Sequence, residues 1–425
     1  MFSNNSKTYC INLLLSLIPI SFIAGNLILN SIIGILLIIS VLFYKFDFFR
    51  IKTIFIDRVV LVFFSYALLL SIFNVIYSYY FFNSTEDLYI LFKTLAYFRF
   101  LILYFLIRYL IEKDIINFKT FFISCSLCSL FVCLDLIYQF LVGKDVFGYK
   151  PASPRRLSGP FGDELIAGSY LQRFSIFLFF LFPIFSKIKN KIVINATLFT
   201  LVCLITFSII ISGNRMPFLL FIFTLVLIFL FHRNFRKYFV QIFLIFSLIS
   251  ALTYNTNNEV RTNYRSFIVE VNWVINSIKE RKFHFGNEGW LGHYLQFHAG
   301  YKTWEKNKLF GGGIRSFKNN CTKRVMPYNC GSHPHNYYLE ILSEVGLIGL
   351  IILSTIFFSL FYRLFIKQKI LSSGKHYLIL PFLILFLVEI FPIKSSGSFF
   401  STANATYFFL IMAITIALSH KKKIN

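Results

Sequence analysis

Residues 192–232 read IVINATLFTLVCLITFSIIISGNRMPFLLFIFTLVLIFLFH, two apolar runs joined by the short polar segment Ser212-Gly213-Asn214-Arg215. Each run is close to the length of about 20 residues at which an α-helix crosses the hydrocarbon core of a bilayer. Arg215 is the only Lys, Arg, Asp or Glu in this stretch. The pattern predicts two consecutive transmembrane helices with a polar turn between them, and similar runs recur along the chain.

The composition of the whole chain excludes an ordinary soluble domain. Of its 425 residues, 57% are hydrophobic, 20% are aromatic and only 14% are charged, which leaves too little polar surface to face water. The formal net charge is +24, and in a soluble protein this would favour nucleic acid as a partner. Here the Lys and Arg residues lie in short runs between apolar segments, so they indicate membrane topology and no nucleic-acid partner is expected.

Twelve apolar runs predict about twelve transmembrane helices and an all-α polytopic membrane protein. The connections alternate in charge: Lys45, Arg50 and Lys52 follow the second run, whereas the segment 83–87 after the third run has no basic residue. Because basic connections stay in the cytoplasm, both termini are predicted to be cytoplasmic. The runs are 9–25, 27–44, 59–82, 89–111, 117–142, 164–186, 192–212, 216–232, 238–255, 337–365, 376–394 and 399–419.

This topology predicts three parts. Residues 1–255 hold the first nine helices, residues 256–335 form a large loop on the outer face, and residues 336–425 hold the last three helices and a cytoplasmic tail. Within the loop, 265–282 and 293–307 are predicted helices that are too short or too polar to cross a bilayer. We expect both to lie over the membrane surface and to roof a cleft above the helices beneath them.

Titratable and cationic residues gather at the outer ends of these runs. His333 and His335 stand where the loop meets the tenth run, and Arg215, Arg261 and Arg265 lie at other outer ends. Chemistry on a polyprenyl pyrophosphate requires cations to hold the departing diphosphate and a base to deprotonate the attacking sugar hydroxyl, a role that suits His335. The alternative interpretation is structural, because arginines at helix ends often reach lipid phosphates and interfacial histidines are often only hydrogen-bonded.

Two further segments on the same face allow two interpretations each. Arg155 and Arg156 are candidates for acceptor or glycan contacts through a second phosphate or an acidic sugar, but they would equally suit lipid headgroups. Gly311-Gly312-Gly313 either frees backbone amides to approach an anion or forms a simple turn. No strand precedes this glycine run and no Gly-Lys-Ser/Thr follows it, so it is not a nucleotide-binding loop.

Cysteine positions predict a disulfide in the outer loop. Cys321 and Cys330 precede the two histidines, and an oxidising compartment would favour a bond between them. A zinc site shared with His333 and His335 is the weaker alternative, because a Cys-x8-Cys spacing differs from the common zinc motifs, and no metal site is predicted. The other cysteines lie in apolar runs and behave as small hydrophobic residues: Cys10, Cys125, Cys128, Cys133 and Cys203.

Three motifs together resemble a known family. His335-Asn336 is followed by nine residues, Gly346, two residues and Gly349. The segment 304–313 reads WEKNKLFGGG, and Ser212-Gly213-Asn214-Arg215 ends the seventh apolar run. These segments are similar to the His-Asn-x9-Gly-x-x-Gly signature, the glycine-ended stretch and the Ser-Gly-Ser-Arg of the bacterial O-antigen ligases. The resemblance is specific within 190–365, and the predicted helix plan is similar over the whole chain.

The resemblance implies a GT-C-like, metal-independent, inverting glycosyltransferase of the bacterial inner membrane. Such an enzyme moves a glycan from undecaprenyl pyrophosphate to a lipid A-core acceptor on the periplasmic side, in lipopolysaccharide biosynthesis, without a cofactor. His335 would be the base and Arg215 a diphosphate ligand. The family commonly has an arginine where this chain has His293, eighteen residues before Gly311. The second diphosphate ligand therefore stays open among Arg261, Arg265, His293 and Arg315.

His333 and Asn336 are further candidates for acceptor or glycan contacts. Pro334 separates His333 from His335 and prevents a helical alignment of the two side chains. His333 is therefore expected to be an orienting neighbour of His335 or an ordinary loop residue. Asn336 stands immediately before the tenth apolar run, at the start of the span, which would hold the base at the edge of the membrane.

Two alternative functions remain. The same motif occurs in O-antigen polymerases, which extend lipid-linked repeats. A lipid-linked oligosaccharide flippase would also have many helices and a cationic cavity, and charges inside the apolar runs would suit a transport path. Structural pairing is the default interpretation of those charges, and the concentration of polar residues on one outer face favours an enzyme. The charges are Arg99, Asp135, Arg173 and Glu389.

Overall fold

The computed structural model describes residues 4–82, 87–151, 153, 156–185, 190–231, 236, 239–280, 292–321, 330–368, 378–395 and 397–421. Across these residues the chain is α-helical, with short 3-10 and π segments and no β-strand. Eight helical stretches of the described residues are long and apolar enough to cross a membrane, one of them the consecutive helices within 167–185, and three shorter helices are also apolar. The chain is therefore an all-α polytopic membrane protein, as its apolar runs predict.

Among the described residues, each predicted apolar run overlaps a helix, and the run 376–394 is helical only over Ile379–Glu389. The helices are α1 (Asn4–Ala24), α2 (Asn26–Tyr44), α3 (Phe55–Phe82), α4 (Leu88–Glu112), α5 (Phe118–Val142), α6 (Ala167–Phe174), α7 (Ile176–Phe185), α8 (Lys191–Ile211), α9 (Arg215–Phe231), α10 (Phe239–Thr256), α11 (Asn258–Glu280), α12 (Gly292–Lys306), α13 (Phe317–Asn320), α14 (Tyr337–Phe361), α15 (Ile379–Glu389) and α16 (Thr402–His420). The sixth run is divided between α6 and α7. The number of membrane crossings stays a prediction, because several of these helices are shorter than a full span.

Both helices predicted in the outer loop are present. The first predicted stretch, 265–282, falls largely within α11, and the second, 293–307, corresponds to α12. Their position over a membrane surface and the three-part division of the chain stay predictions.

The helices form two compact units, each described separately below. The first unit comprises Met1–Leu36, Ile116–Trp290 and Leu383–Val388. The second unit comprises Leu37–Ile115, Leu291–Phe382 and Glu389–Asn425. The loop 256–335 thus contributes α11 to the first unit and α12 to the second.

In the first unit α5 is the central helix, and α1, α7 and α8 pack against it. Asn117 caps its N-terminus: the side chain accepts a hydrogen bond from the Lys119 amide at 3.1 Å. The Asn117 amide itself donates to Asn12 of α1 at 2.6 Å. On α6 the Tyr170 hydroxyl donates to the Pro19 carbonyl of α1 at 3.0 Å. The contacts of Asn12 and Tyr170 join α1 to α5 at one end and α1 to α6 further along.

In the second unit α4 packs against α16, and α3 packs against both α4 and α14. Aromatic rings fill the space between these helices. Phe100 and Phe409 stack with ring centroids 6.0 Å apart, and Phe64 and Tyr97 stack at 5.6 Å. All four rings are buried, so aromatic packing supplies much of this core.

Candidate functional site

His335 has an unusual backbone conformation. Its φ is +55°, in the left-handed region that few residues with a Cβ adopt. The residue before it, Pro334, is buried against α12, where a Cβ added to Gly300 would lie 2.7 Å from the Pro334 Cβ. Close packing on one side and a helix cap on the other therefore hold His335 in place.

Asn336 is the N-cap of α14. Its Oδ1 accepts hydrogen bonds from the amides of Tyr338 at 3.0 Å and Leu339 at 3.2 Å. Its Nδ2 donates to the carbonyls of Pro392 at 2.9 Å and Lys394 at 3.2 Å. The amide group of Asn336 thus joins the start of α14 to the segment that follows α15.

The ring of His333 lies against the ring of His335. The two ring centroids are 4.2 Å apart and the rings are inclined by 46°. The Nδ1 of His333 lies 2.9 Å from the Ser332 hydroxyl. The two histidines are therefore neighbours in space although Pro334 separates them in sequence.

Gly346 interrupts α14 and allows the chain segment before the glycine turn to approach it. Its φ is +69°, and a Cβ at this position would lie 2.1 Å from the Leu309 carbonyl oxygen. The amide of Leu347 donates to the Lys308 carbonyl at 2.9 Å, and the amide of Ile348 donates to the Leu309 carbonyl at 3.2 Å. The interruption thus exchanges helical hydrogen bonds for bonds to another segment.

The glycine turn 311–313 completes this contact. Its three amides donate to the carbonyls of Asn307, Ser343 and Glu344 at 3.1, 3.1 and 2.6 Å. A Cβ added at Gly311 would lie 2.6 Å from the Gly346 amide nitrogen. The interpretation of this turn as an anion-binding segment is therefore wrong, because its amides are already bonded within the protein. The glycines permit close packing of two backbones.

Two buried carboxylates on α14 bind the neighbouring loops. Glu340 and Glu344 are each 1% exposed, and their separation of four residues places them on one face of the helix. Glu340 accepts hydrogen bonds from the Ser398 hydroxyl and, at 2.6 Å, from the Phe399 amide. Sequence reasoning assigned these residues no role, although two glutamates four apart in an apolar run were a signal.

Arg315 belongs to the same cluster. Its backbone is left-handed, with φ +67°, and its amide donates to Glu344 at 2.6 Å. The Phe317 amide donates to the other oxygen of Glu344 at 3.4 Å. The Arg315 guanidinium donates to the Ser398 hydroxyl at 3.0 Å. Glu344 thus fixes the loop that carries Arg315, and Ser398 connects Arg315 to Glu340.

A buried ion pair lies beside the start of α14. Lys394 Nζ is 2.7 Å from Glu389 Oε1, and the two side chains are 7% and 2% exposed. The Tyr337 hydroxyl donates to the same Glu389 oxygen at 2.8 Å. The expectation that Glu389 is structurally paired is confirmed, and the Tyr337 hydroxyl joins this pair to the start of α14, next to His335.

Cys321 and Cys330 are joined by a disulfide bond. The bond packs against Ala299 of α12 and against Phe317. Because the two sulfur atoms are bonded to each other, the alternative of a zinc site that uses both cysteines is wrong. The disulfide instead connects the segment before His333 to the region of α12.

In the first unit, Arg215 is the first residue of α9. It follows a turn in which Gly213 has φ +67°, and its guanidinium donates to the Ser266 hydroxyl of α11. It lines a cavity of about 250 Å³ between α8, α9 and α11. Burial raises the pKa of Tyr264, another lining residue, to about 12. The remaining walls are mostly apolar, for example Phe218 and Phe267.

The other candidate cations differ in their surroundings. Arg261 donates to the carbonyls of Tyr254 at 3.2 Å and Asn255 at 2.8 Å, in the last turn of α10. Arg265 is exposed. The Arg156 amide donates to the Ser153 carbonyl at 3.0 Å in a tight turn. Arg155 and the His293 side chain lie outside the described residues.

The candidates are thus distributed over both units. Arg156, Arg215, Arg261 and Arg265 belong to the first unit. The second unit brings His333, His335 and Asn336 together in one segment and places Arg315 in the cluster of Glu340 and Glu344.

Residues 199–354 match the family model described as O-antigen ligase. The matched region begins in α8 and ends in α14, so it includes Arg215, both loop helices, the glycine turn and the motif that begins at His335. The resemblance inferred from the motifs is therefore confirmed. No curated protein matches the chain.

Proposed function

Because the chain carries an O-antigen ligase domain over residues 199–354, we propose that it transfers a glycan from undecaprenyl pyrophosphate to a lipid A-core acceptor in lipopolysaccharide biosynthesis. At a coarser level the chain is an O-antigen ligase or polymerase type of membrane enzyme. In the proposal it lies in the bacterial inner membrane with both termini in the cytoplasm and His335 facing the periplasm. The alternation of basic and non-basic connections supports this orientation.

His335 acts as the general base. It accepts the proton of the acceptor hydroxyl while the hydroxyl oxygen forms a bond to the anomeric carbon of the donor. The bond between that carbon and the diphosphate oxygen breaks, and the diphosphate leaves with the electron pair on the opposite face. Attack opposite the leaving group inverts the configuration. The reaction needs no metal and no cofactor in this proposal.

The backbone of His335 is the observation that carries this assignment. A left-handed φ at a residue with a Cβ costs free energy, and such strain concentrates where a side chain must be aimed. Packing of Pro334 and capping by Asn336 maintain it. His333, whose ring contacts the His335 ring at a tilt, is assigned as an orienting neighbour.

Arg215 binds the departing diphosphate. A guanidinium forms paired, charge-assisted hydrogen bonds with phosphate oxygens, and the N-terminus of α9 adds a favourable dipole. The cavity beside it has apolar walls and a few polar groups, among them Asn263 and Tyr264, which suits a diphosphate attached to an isoprenoid chain. Arg261 is engaged with the end of α10, so the exposed Arg265 is the stronger first-unit candidate for a second contact.

Deletion of the gene distinguishes ligase from polymerase. Loss of a ligase leaves lipid A-core without attached glycan and allows lipid-linked polymer to accumulate. Loss of a polymerase leaves core that carries single repeat units. Separation of lipopolysaccharide on a gel reads out both outcomes, and single-repeat core would overturn the ligase assignment in favour of the polymerase.

A purified assay tests the chemistry directly. The full chain in detergent, with a polyprenyl-diphosphate-linked donor, lipid A-core and a metal chelator, should transfer glycan, and His335→Ala should lose transfer. Arg50→Ala is a suitable control, because Arg50 is an exposed cation that pairs with Asp47 at 3.3 Å. Loss of wild-type transfer on chelation would contradict metal independence, and turnover by His335→Ala at the wild-type rate would remove the proposed base.

A further inference from the structure

The second unit contains another cavity, at the end where α3 begins and α4 and α16 end. Its volume is about 330 Å³. α16 has 19 residues, so it separates this end from the Ser398 cluster by about 28 Å at 1.5 Å per residue. The cavity is therefore distinct from the site around His335. It is lined by Lys52, Ile54, Arg108, Ile111, Glu112, Ala417, His420 and Lys421.

Arg108 is the most informative of these residues. Its side chain is 5% exposed and pairs with Asp57, which is fully buried. Asp57 also accepts hydrogen bonds from the Tyr104 hydroxyl at 2.6 Å and from the Ile54 amide at 2.9 Å. The Nε of Arg108, in contrast, is buried and has no hydrogen-bond partner among the residues that the structure describes. A buried donor of this kind is costly unless it finds an acceptor, and the cavity that Arg108 lines has room for one.

The other basic residues around the cavity differ in their contacts. Arg363 donates to the Ser419 carbonyl at 3.2 Å and lies near enough to Arg108 for the two positive charges to repel each other. Lys421 contacts Asp114. Lys52 is exposed at the cavity entrance. The acids at this end are Asp57, Glu112 and Asp114.

His420 adds a further group to the cavity wall. Its Nδ1 lies 2.9 Å from the Ile416 carbonyl and 3.0 Å from the Ser419 hydroxyl. A bond from Nδ1 to the carbonyl fixes the ring orientation, which leaves Nε2 as the atom for an external partner.

We propose that this cavity binds a phosphate group, from either an anionic lipid headgroup or a free phosphate. Phosphate oxygens accept from a guanidinium with charge-assisted bonds, and they would satisfy the Arg108 Nε and offset its repulsion with Arg363. Lys52 adds a cation at the entrance. The helices that end here are long enough to cross a membrane, so their ends lie at the depth of lipid headgroups. The proposal does not depend on the glycan transfer proposed above.

Two measurements separate the sources of phosphate. Isothermal titration of the full chain in a neutral detergent with sodium phosphate, against sodium chloride, tests free phosphate. Native mass spectrometry after incubation with phosphatidylglycerol, against phosphatidylcholine, tests an anionic headgroup. Binding in either measurement that depends on the residues of the cavity supports the proposal and names the source.

The variants are chosen so that the protein still folds. Lys52→Ala removes an exposed cation and should weaken binding roughly tenfold, the effect of one lost charge-assisted contact. The paired change Asp57→Asn with Arg108→Gln replaces the buried ion pair by two neutral side chains, so that no unpaired charge is left buried, and should abolish binding. Arg50→Ala is the matched control, because Arg50 is a nearby basic residue that does not line the cavity.

The binding measurements can either support or overturn the phosphate site. Binding that Lys52→Ala weakens and that Arg50→Ala leaves unchanged supports a phosphate site. Absence of binding to wild type in both measurements overturns the proposal. Equal binding by wild type, Lys52→Ala and the paired variant also overturns it, because retention would then come from the general basic surface.

Discussion

The segment around His335 and the cavity beside Arg215 differ in how far the protein fixes their geometry. The backbone at His335 is strained, and its neighbours on both sides are held by close packing and by a helix cap. Arg215 instead borders an open, mostly apolar space of about 250 Å³. A base must be aimed within a fraction of an ångström, whereas a lipid-linked leaving group needs room to enter and depart. The difference suits a division between chemistry at the first place and binding at the second.

The largest expected effect is on catalysis at the fixed segment. His335→Ala should lower kcat/KM by roughly 10²–10⁴, the usual contribution of a positioned base. His333→Ala should cost only about tenfold, because His333 acts through the orientation of its neighbour. Initial transfer rates of the purified proteins measure both. An equal or larger loss for His333→Ala would exchange the roles assigned to the two histidines.

The second-largest expected effect is on stability, at the backbone contact between Gly346 and Leu309. Gly346→Ala should destabilise the protein by about 3 kcal/mol or more, because it combines a left-handed φ with a clash against a backbone carbonyl. Gly34→Ala is the matched control, since a Cβ there meets nothing within 4 Å, and alanine should stabilise that helix slightly. Thermal unfolding in detergent measures both. Equal unfolding temperatures for the two variants would contradict the close approach of these backbones.

Substitution of Arg215, which lines the open cavity, is expected to affect the kinetics of transfer. Arg215→Ala should lower kcat and kcat/KM together by about a hundredfold, because the guanidinium is proposed to stabilise charge that develops on the diphosphate. Arg215→Lys should recover part of the loss. Arg261→Ala should instead lower the unfolding temperature, since it removes donors from the last turn of α10. A change in KM alone for Arg215→Ala would make Arg215 a residue of ground-state binding only.

The sequence predicts the elements well because their signals are local. Apolar length locates the membrane helices, and both loop helices are present where they were expected. The contact between the glycine turn and Gly346, and the hydrogen bond from Ser398 to Glu340 across 58 residues of chain, are long-range. Periodicity carries no information about which distant segments pair. For this reason the sequence leaves an anion-binding role open for the glycine run, and the hydrogen bonds of its amides exclude that role.

The sequence is sufficient to predict that Glu340 and Glu344 bind hydrogen-bond donors inside the protein. A carboxylate within an apolar run is costly unless donors surround it, so two of them one helical turn apart imply a buried partner surface. The partners themselves, the Arg315 loop and Ser398, could not be identified without the fold. The motif that begins at His335 thus includes, besides the proposed base, the two carboxylates that bind the Arg315 loop and Ser398.

The smallest expected effect is at Asn336, where two variants distinguish the helix cap from the bonds to the loop carbonyls. Asn336→Ala should destabilise the protein by about 2 kcal/mol, because it loses both the helix cap and the bonds to the carbonyls of Pro392 and Lys394. Asn336→Ser keeps a capping oxygen and should cost only about 1 kcal/mol. Chemical unfolding and kcat, measured on the same samples, test this order. If kcat fell far more than stability in both variants, Asn336 would contact the acceptor or the glycan, and the fixed segment would include a substrate-binding residue as well as the base.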